Sequence, residues 1–113
     1  MDRKHRLRDN QRFQRVKKEG RSWSHLLLVL CALPNGLEYS RFGFSASKRV
    51  GKAVVRNRVK RLLREATSAR ETLVVPGQDL VFIARSPVGK AGYLEVDRAV
   101  EQLLTQAGLL RVP

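Results

Sequence analysis

Between Lys48 and Arg64 the chain carries eight Lys and Arg and no acid, and this stretch limits the possible folds more than any other. Ala53 to about Ala69 contains neither Gly nor Pro, which predicts one long helix. At roughly 100° per residue, with Arg56 at zero, Val55, Val59, Leu62, Leu63 and Ala66 fall between about 240° and 340°, while Arg56, Lys60, Arg64, Asn57, Arg61 and Arg58 span about 0° to 200°. One face packs and the other is cationic. Arg56, Lys60 and Arg64 stand four residues apart, and like charges at that spacing cost a few tenths of a kcal/mol per pair. A helix shaped by stability alone would interleave Glu, so a solvated basic face is the weaker reading and a polyanionic partner the stronger.

The rest of the composition agrees. The 113 residues hold 23 Lys and Arg against 10 Asp and Glu, a formal net charge of +13. Residues 1–64 contain 18 cations and 4 acids, net +14, and residues 65–113 contain 5 and 6, net −1. An apolar share of 42% still suffices for one modest core, so the charge does not imply disorder. No Gly/Ser/Pro-rich linker separates the halves, which predicts one domain over residues 1–113 with a charged side and a neutral side. A single Cys, Cys31, excludes an intramolecular disulfide and a Cys-based zinc site, and fits a small core residue. The apolar run Leu26 to Leu33 is too short to cross a bilayer, and Pro34-Asn35-Gly36 closes it like a turn. A cytoplasmic protein with no membrane contact is expected.

The elements read as helix, strand, strand, helix, strand, helix. The first helix spans about Asn10 to Glu19, with Asp9 or Asn10 as N-cap and Gly20 ending it. Trp23 to Leu33 reads as one buried strand, joined at Asn35-Gly36 by a short loop to a second strand near Tyr39 to Ser47. Leu80 to Ala84 is a third strand, and Leu94 to Ala107 a last helix ended by Gly108. Two strands flanking a long helix form a βαβ unit, hence an α+β protein: a mixed β-sheet with helices packed on it. Residues before Asp9 read as a flexible basic tail that includes His5. Lys48-Arg49-Val50-Gly51-Lys52 has the character of a phosphate nest, with backbone N–H groups gathered at a helix N-terminus.

The segment RFGFSASKRVGKAVVRNRVKRLLRE, Arg41 to Glu65, resembles the signature of the bacterial ribonuclease P protein subunit, centred on Arg56-Asn57-Arg58. RFQRVKKEGR at 12–21 and DLVFIAR at 79–85 extend the likeness over most of the chain. The resemblance implies a small α/β sandwich, ribosomal-protein-like, whose βαβ crossover is left-handed against the usual rule. It also implies that the basic loop and helix dock on the catalytic RNA, assigning Lys48, Arg49, Lys52, Arg56, Asn57, Arg58, Lys60, Arg61 and Arg64 to that contact. A cleft between the first helix and the sheet would hold the 5′ leader of precursor tRNA, with Arg12, Phe13, Val16, Lys17 and Phe44 as its residues. Lys17 departs from the family pattern, in which an aromatic residue often follows the Val. The implied partners are the catalytic RNA, one protein per RNA, and precursor tRNA. Mg2+ would act with the RNA, and no cofactor or metal is assigned to the protein.

Phe13 and Val16 admit two readings: a small apolar platform rimmed by cations for an unstacked nucleotide, or anchors of the helix on the sheet. Arg56→Ala or Arg58→Ala is expected to weaken assembly and leave the fold intact. A protein-only nuclease would need clustered acids or a His-based acid/base pair. His5, His25, Asp79, Glu95, Asp97 and Glu101 offer neither; Asp79 reads as a strand start, and the last three as the charge bias of a helix N-terminus. A ribosomal or other structured-RNA-binding protein remains the alternative, and a reader of duplex DNA has only Asn57 to read with.

Overall fold

The computed structural model of the chain describes residues 1–111. The expected domain, residues 1–113, reaches two residues past them. Helix α1 (Asn10–Glu19) leads to strands β1 (Arg21–Ser24), β2 (Leu28–Pro34) and β3 (Arg41–Ser45); helix α2 (Ala53–Ser68), strand β4 (Gln78–Ala84) and helix α3 (Tyr93–Gln106) follow. The four strands form one mixed sheet in the order β1-β2-β4-β3. β1–β2 and β2–β4 are antiparallel, and β3–β4 is parallel. Parallel neighbours need a crossover, which α2 supplies.

Two strand expectations are corrected. The run Trp23 to Leu33 is a hairpin rather than one strand, with Ser24 opposite Val29 and Arg21 opposite Ala32. His25 makes the turn without Gly or Pro: its N–H donates to Leu28 O at 2.8 Å, and its Nδ1 accepts from Leu27 N–H at 3.0 Å. Leu26, which looked like core, is 69% exposed at the tip. Nor does Asn35-Gly36 join neighbouring strands, because β4 lies between β2 and β3. Gly36 takes φ +72°, and Asn35 accepts from Leu37 N–H while donating to Tyr39 O and Asp79 Oδ1. The chain thus crosses the end of the sheet and leaves the adjacent position open for β4.

Strand alternation divides the sheet between two cores. Leu28, Leu30, Ala32, Phe42, Leu80, Phe82 and Ala84 face the layer that holds α2 and α3, through Val59, Leu63, Ala66, Val96, Val100 and Leu103. Cys31 and Val81 face the opposite layer, where α1 contributes Val16 and the N-terminal segment contributes Leu7. The Asp9 carboxylate caps α1 by accepting from Gln11 N–H at 3.0 Å. At its other end Gly20 lies so close to the sheet that a Cβ there would meet Val16 O at 2.5 Å and Ala32 O at 2.6 Å. Both atoms are backbone, so glycine is what lets α1 turn directly into β1. Among the described residues no helix is long and apolar enough to cross a membrane.

Candidate RNA-binding surface

Helix α2 buries Val59, Leu63, Ala66 and Thr67 and leaves Val55 and Leu62 half-buried, so the apolar stripe lies where periodicity put it. The cations on the other side fall into three settings. Lys48, Arg49, Lys52, Asn57 and Arg61 are exposed, in the β3–α2 loop and along the outer face of the helix. Arg56, Lys60 and Arg64 are half-buried and form one stripe, repeating every four residues. Arg58 is different again. Its guanidinium donates to Gly89 O at 2.7 Å and Ala91 O at 3.2 Å, tying α2 to the 3₁₀ turn over Ser86–Lys90. Its fork is engaged within the chain, a contact that the expectation of an intact fold in Arg58→Ala did not include.

The phosphate-nest expectation is also corrected. Val50 N–H donates to Ser47 O at 3.0 Å and Gly51 N–H to Lys48 O at 3.2 Å, so those groups close a turn instead of facing an anion. Val50 is buried, its carbonyl against Gly89, where a Cβ would approach Val50 O to 2.6 Å. What remains for an anion is the first turn of α2, which no side chain caps.

A cavity of about 210 Å³ opens at the free edge of β3, lined by Arg6, Leu7, Arg8, Phe13, Phe42, Gly43, Phe44, Lys60 and Arg64. Phe13 and Phe44 reach it from opposite faces of the sheet. Phe13 lies over Gly43, where a Cβ would meet its Cε2 at 2.6 Å, and Phe44 lies on the α2 face, stacked on Phe82 with ring centroids 6.3 Å apart. Lys60 and Arg64, grouped from sequence with the catalytic-RNA contacts, project into this same cavity.

Three residues assigned to the leader are placed elsewhere. Val16 is fully buried between α1 and the sheet and settles the choice at that position: it anchors. Arg12 points away from the cavity, its Nε donating to Asp79 Oδ2 at 2.7 Å and its Nη2 to Pro34 O at 2.8 Å. Arg41 grips the same carboxylate, from Nε to Oδ1 at 2.8 Å and from Nη2 to Oδ2 at 2.7 Å, while Asn35 donates to Oδ1 at 3.0 Å. Burial pushes the Asp79 carboxyl up, but the donors Arg41, Asn35 and Arg12 outweigh it and hold the group below its ordinary value. Lys17 is exposed one turn beyond Phe13 and does not line the cavity.

Sequence reasoning missed Arg6, Leu7 and Arg8. The expected flexible tail is instead docked on β3: Leu7 N–H donates to Phe42 O at 2.8 Å, and His5 Nδ1 lies 2.9 Å from Ser40 O. The one available signal was Leu7, an isolated apolar residue among cations, and it is 5% exposed. Asp97 and Glu101, read as N-terminal charge bias, instead pair with Arg70 at 2.6 and 2.9 Å and join α3 to the end of α2. Glu95 does serve the helix start, accepting from Gly92 N–H at 3.1 Å.

A family model described as Ribonuclease P matches residues 1–108. The chain belongs to the ribonuclease P protein family. The ribonuclease P protein component of Roseiflexus sp. (strain RS-1) is 44% identical over 112 residues, 98% of this chain and 92% of that protein. The one from Alkaliphilus oremlandii is 41% identical over 105 residues, 93% and 92% of the two chains. Among solved structures, the Staphylococcus aureus ribonuclease P protein superposes with a TM-score of 0.87 at 30% identity, covering 95% of this chain and 98% of that one. The Thermotoga maritima ribonuclease P protein gives 0.81 at 30% identity, covering 89% and 96%. The fold is therefore the α+β fold of ribonuclease P proteins. A ribosomal or other structured-RNA protein is not favoured, and the chain is a protein component of an endoribonuclease complex.

Proposed function

We propose that this ribonuclease P protein binds the catalytic RNA through the exposed cations beside and along α2, and the 5′ leader of precursor tRNA in the cavity at the edge of β3. The observation that carries the reading is the cavity itself. It brings two aromatic side chains from opposite faces of the sheet together with Lys60 and Arg64, on the same helix that carries the exposed Asn57 and Arg61. Aromatic faces take unstacked bases and the cations take phosphates, a pairing suited to single-stranded RNA. Of the stripe Arg56, Lys60 and Arg64, the last two line the cavity, and Arg56 is assigned to the catalytic RNA. Arg58, Arg12 and Val16 hold the scaffold in shape.

We assign hydrolysis to the RNA with its Mg2+, in keeping with the structural engagement of the four acids that a protein nuclease would have drawn on. Asp79 is held by two arginines, Asp97 and Glu101 by Arg70, and Glu95 by a backbone N–H. We place one protein on each RNA, in the cytoplasm. The purified chain alone, treated with nuclease to remove RNA, is expected to cleave no precursor tRNA; correct 5′ cleavage by such a sample would overturn the assignment.

The two classes of cation separate in a salt titration. Each phosphate contact adds roughly 0.7–0.9 to the slope of log K against log salt, so Arg49→Ala/Arg61→Ala is expected to lower the slope for catalytic RNA by roughly 1.4–1.8. Arg58→Ala should instead lower the thermal midpoint, since two backbone acceptors lose their donor, and leave the slope nearly unchanged. An unaltered slope in the double variant would remove the exposed row from the interface.

A further inference from the structure

We propose that the N-terminal segment is itself a wall of the leader channel, and that Arg6, supported by Arg8, holds a phosphate of the leader opposite Lys60 and Arg64. The inference rests on the leader reading of the cavity and adds to it a binding element that lies outside the sheet and helices.

Arg6 and Arg8 line the same cavity as Phe13, Phe44, Lys60 and Arg64. The segment that carries them is fixed on both sides of Arg6, by His5 Nδ1 at Ser40 O and by Leu7 N–H at Phe42 O. Leu7 is buried beside Gly43, so the two flanking arginines are set on the cavity rim rather than trailing in solvent. Neither forms an ion pair among the described residues, and neither do Lys60 and Arg64. Four cations therefore surround one small cavity with no acid between them, and the neutralising charge must come from outside.

Arg6 Nε gives the most specific sign. It is buried and has no hydrogen-bond partner, a state that proteins avoid because the lost solvation is not regained. Arg12, Arg41, Arg58 and Arg70 all have their guanidinium donors engaged by named acceptors within the chain. Arg56 Nε is the other such orphan, one turn before Lys60 on the stripe that enters the cavity. A leader phosphate against the Arg6 guanidinium supplies the acceptor that Arg6 lacks, and the class of ligand follows from the surroundings. Phe13 and Phe44 accept a base face, the cations accept its phosphates, and 210 Å³ is too little for a duplex.

The test uses holoenzyme assembled with Arg6→Gln, Arg6→Lys or wild-type protein, and measures binding of precursor and mature tRNA over a range of salt. Arg6→Gln is expected to weaken precursor binding about tenfold, with mature tRNA binding and assembly with the catalytic RNA unchanged. The salt slope of the precursor-to-mature ratio should fall by about 0.7, and Arg6→Lys should restore it. With wild-type protein, one methylphosphonate linkage in the leader should weaken binding, and the same linkage should have no further effect in Arg6→Gln. An unchanged ratio in Arg6→Gln, while Phe13→Ala lowers it, overturns the proposal and leaves the leader reading in place. Equal losses for precursor and mature tRNA assign Arg6 to the catalytic RNA and overturn it too. No change in either variant removes the leader from the cavity altogether.

Discussion

Asp79→Ala is expected to destabilise the folded chain by about 3–5 kcal/mol, because the carboxylate is fully buried and its loss strands two arginine charges. Arg12 and Arg41 keep 17% and 27% exposure and can recover part of their hydration, which favours the lower figure. For a domain of this size, about 3 kcal/mol lowers the thermal midpoint by roughly 10–20 °C. The effect has a pH signature. The native carboxyl ionises below the unfolded value of about 3.9, so its contribution is fully present above about pH 4 and is lost as pH falls through the native value. Urea midpoints of wild type and variant should therefore differ by a constant amount at neutral pH and converge in acid. Equal midpoints at pH 7 would show that the arginines do not depend on Asp79. The carboxylate also joins α1, through Arg12, to the start of β3, through Arg41, so it fixes the spacing across which Phe13 and Phe44 meet the cavity.

Phe13→Ala carries the largest expected effect on binding. Stacking of one base on an aromatic ring contributes about 1–3 kcal/mol, so precursor tRNA should bind roughly five- to a hundred-fold more weakly while mature tRNA binds as before. Phe13 also covers Gly43, and truncation removes packing from the α1 side of the sheet. Phe13→Leu keeps most of that volume and removes the aromatic face, so both variants should lose affinity for precursor even where only the Ala variant loses thermal stability. Equal losses for both tRNAs, or none, would make Phe13 a packing residue only.

How far the fold was legible depended on whether a feature was local. Asp9, Gly20 and the Gly/Pro-free stretch after Lys52 placed the bounds of α1 and α2, because capping and helix breaking act within a few residues. The βαβ unit and the apolar stripe of α2 followed from periodicity. The β1–β2 turn did not, since a histidine accepts the turn N–H where a glycine or asparagine would have announced it. Strand order was hidden as well: nothing near Asn35-Gly36 says that a strand over forty residues later inserts between its flanking strands.

The same boundary runs through the site. The exposed cations were readable as a row, but charge alone could not tell Arg61, which faces solvent, from Arg58, whose partners lie more than thirty residues away. Arg12, assigned from sequence to the leader, instead meets a carboxylate 67 positions on, which charge alone could not reveal. Lys60 and Arg64 read from sequence as catalytic-RNA contacts, yet they line a cavity beside an edge strand that sequence could not place.

The position of β3 bears on how the protein keeps to itself. It is the outer strand of the sheet, and beyond the single bridge from Arg6 to Phe42 its remaining edge has no main-chain neighbour among the described residues. Phe44, two residues on from Phe42, turns its N–H and C=O toward that open edge. Such an edge invites another chain to add a strand, and surrounding charge is one of the ways proteins prevent it. Arg6, Arg8, Lys60 and Arg64, the cations that line the cavity, supply such charge at this edge. Replacing them with Leu or Val would expose a bare, sticky border and produce aggregates that mimic loss of function, whereas Gln or Ser removes the charge and keeps the border wet.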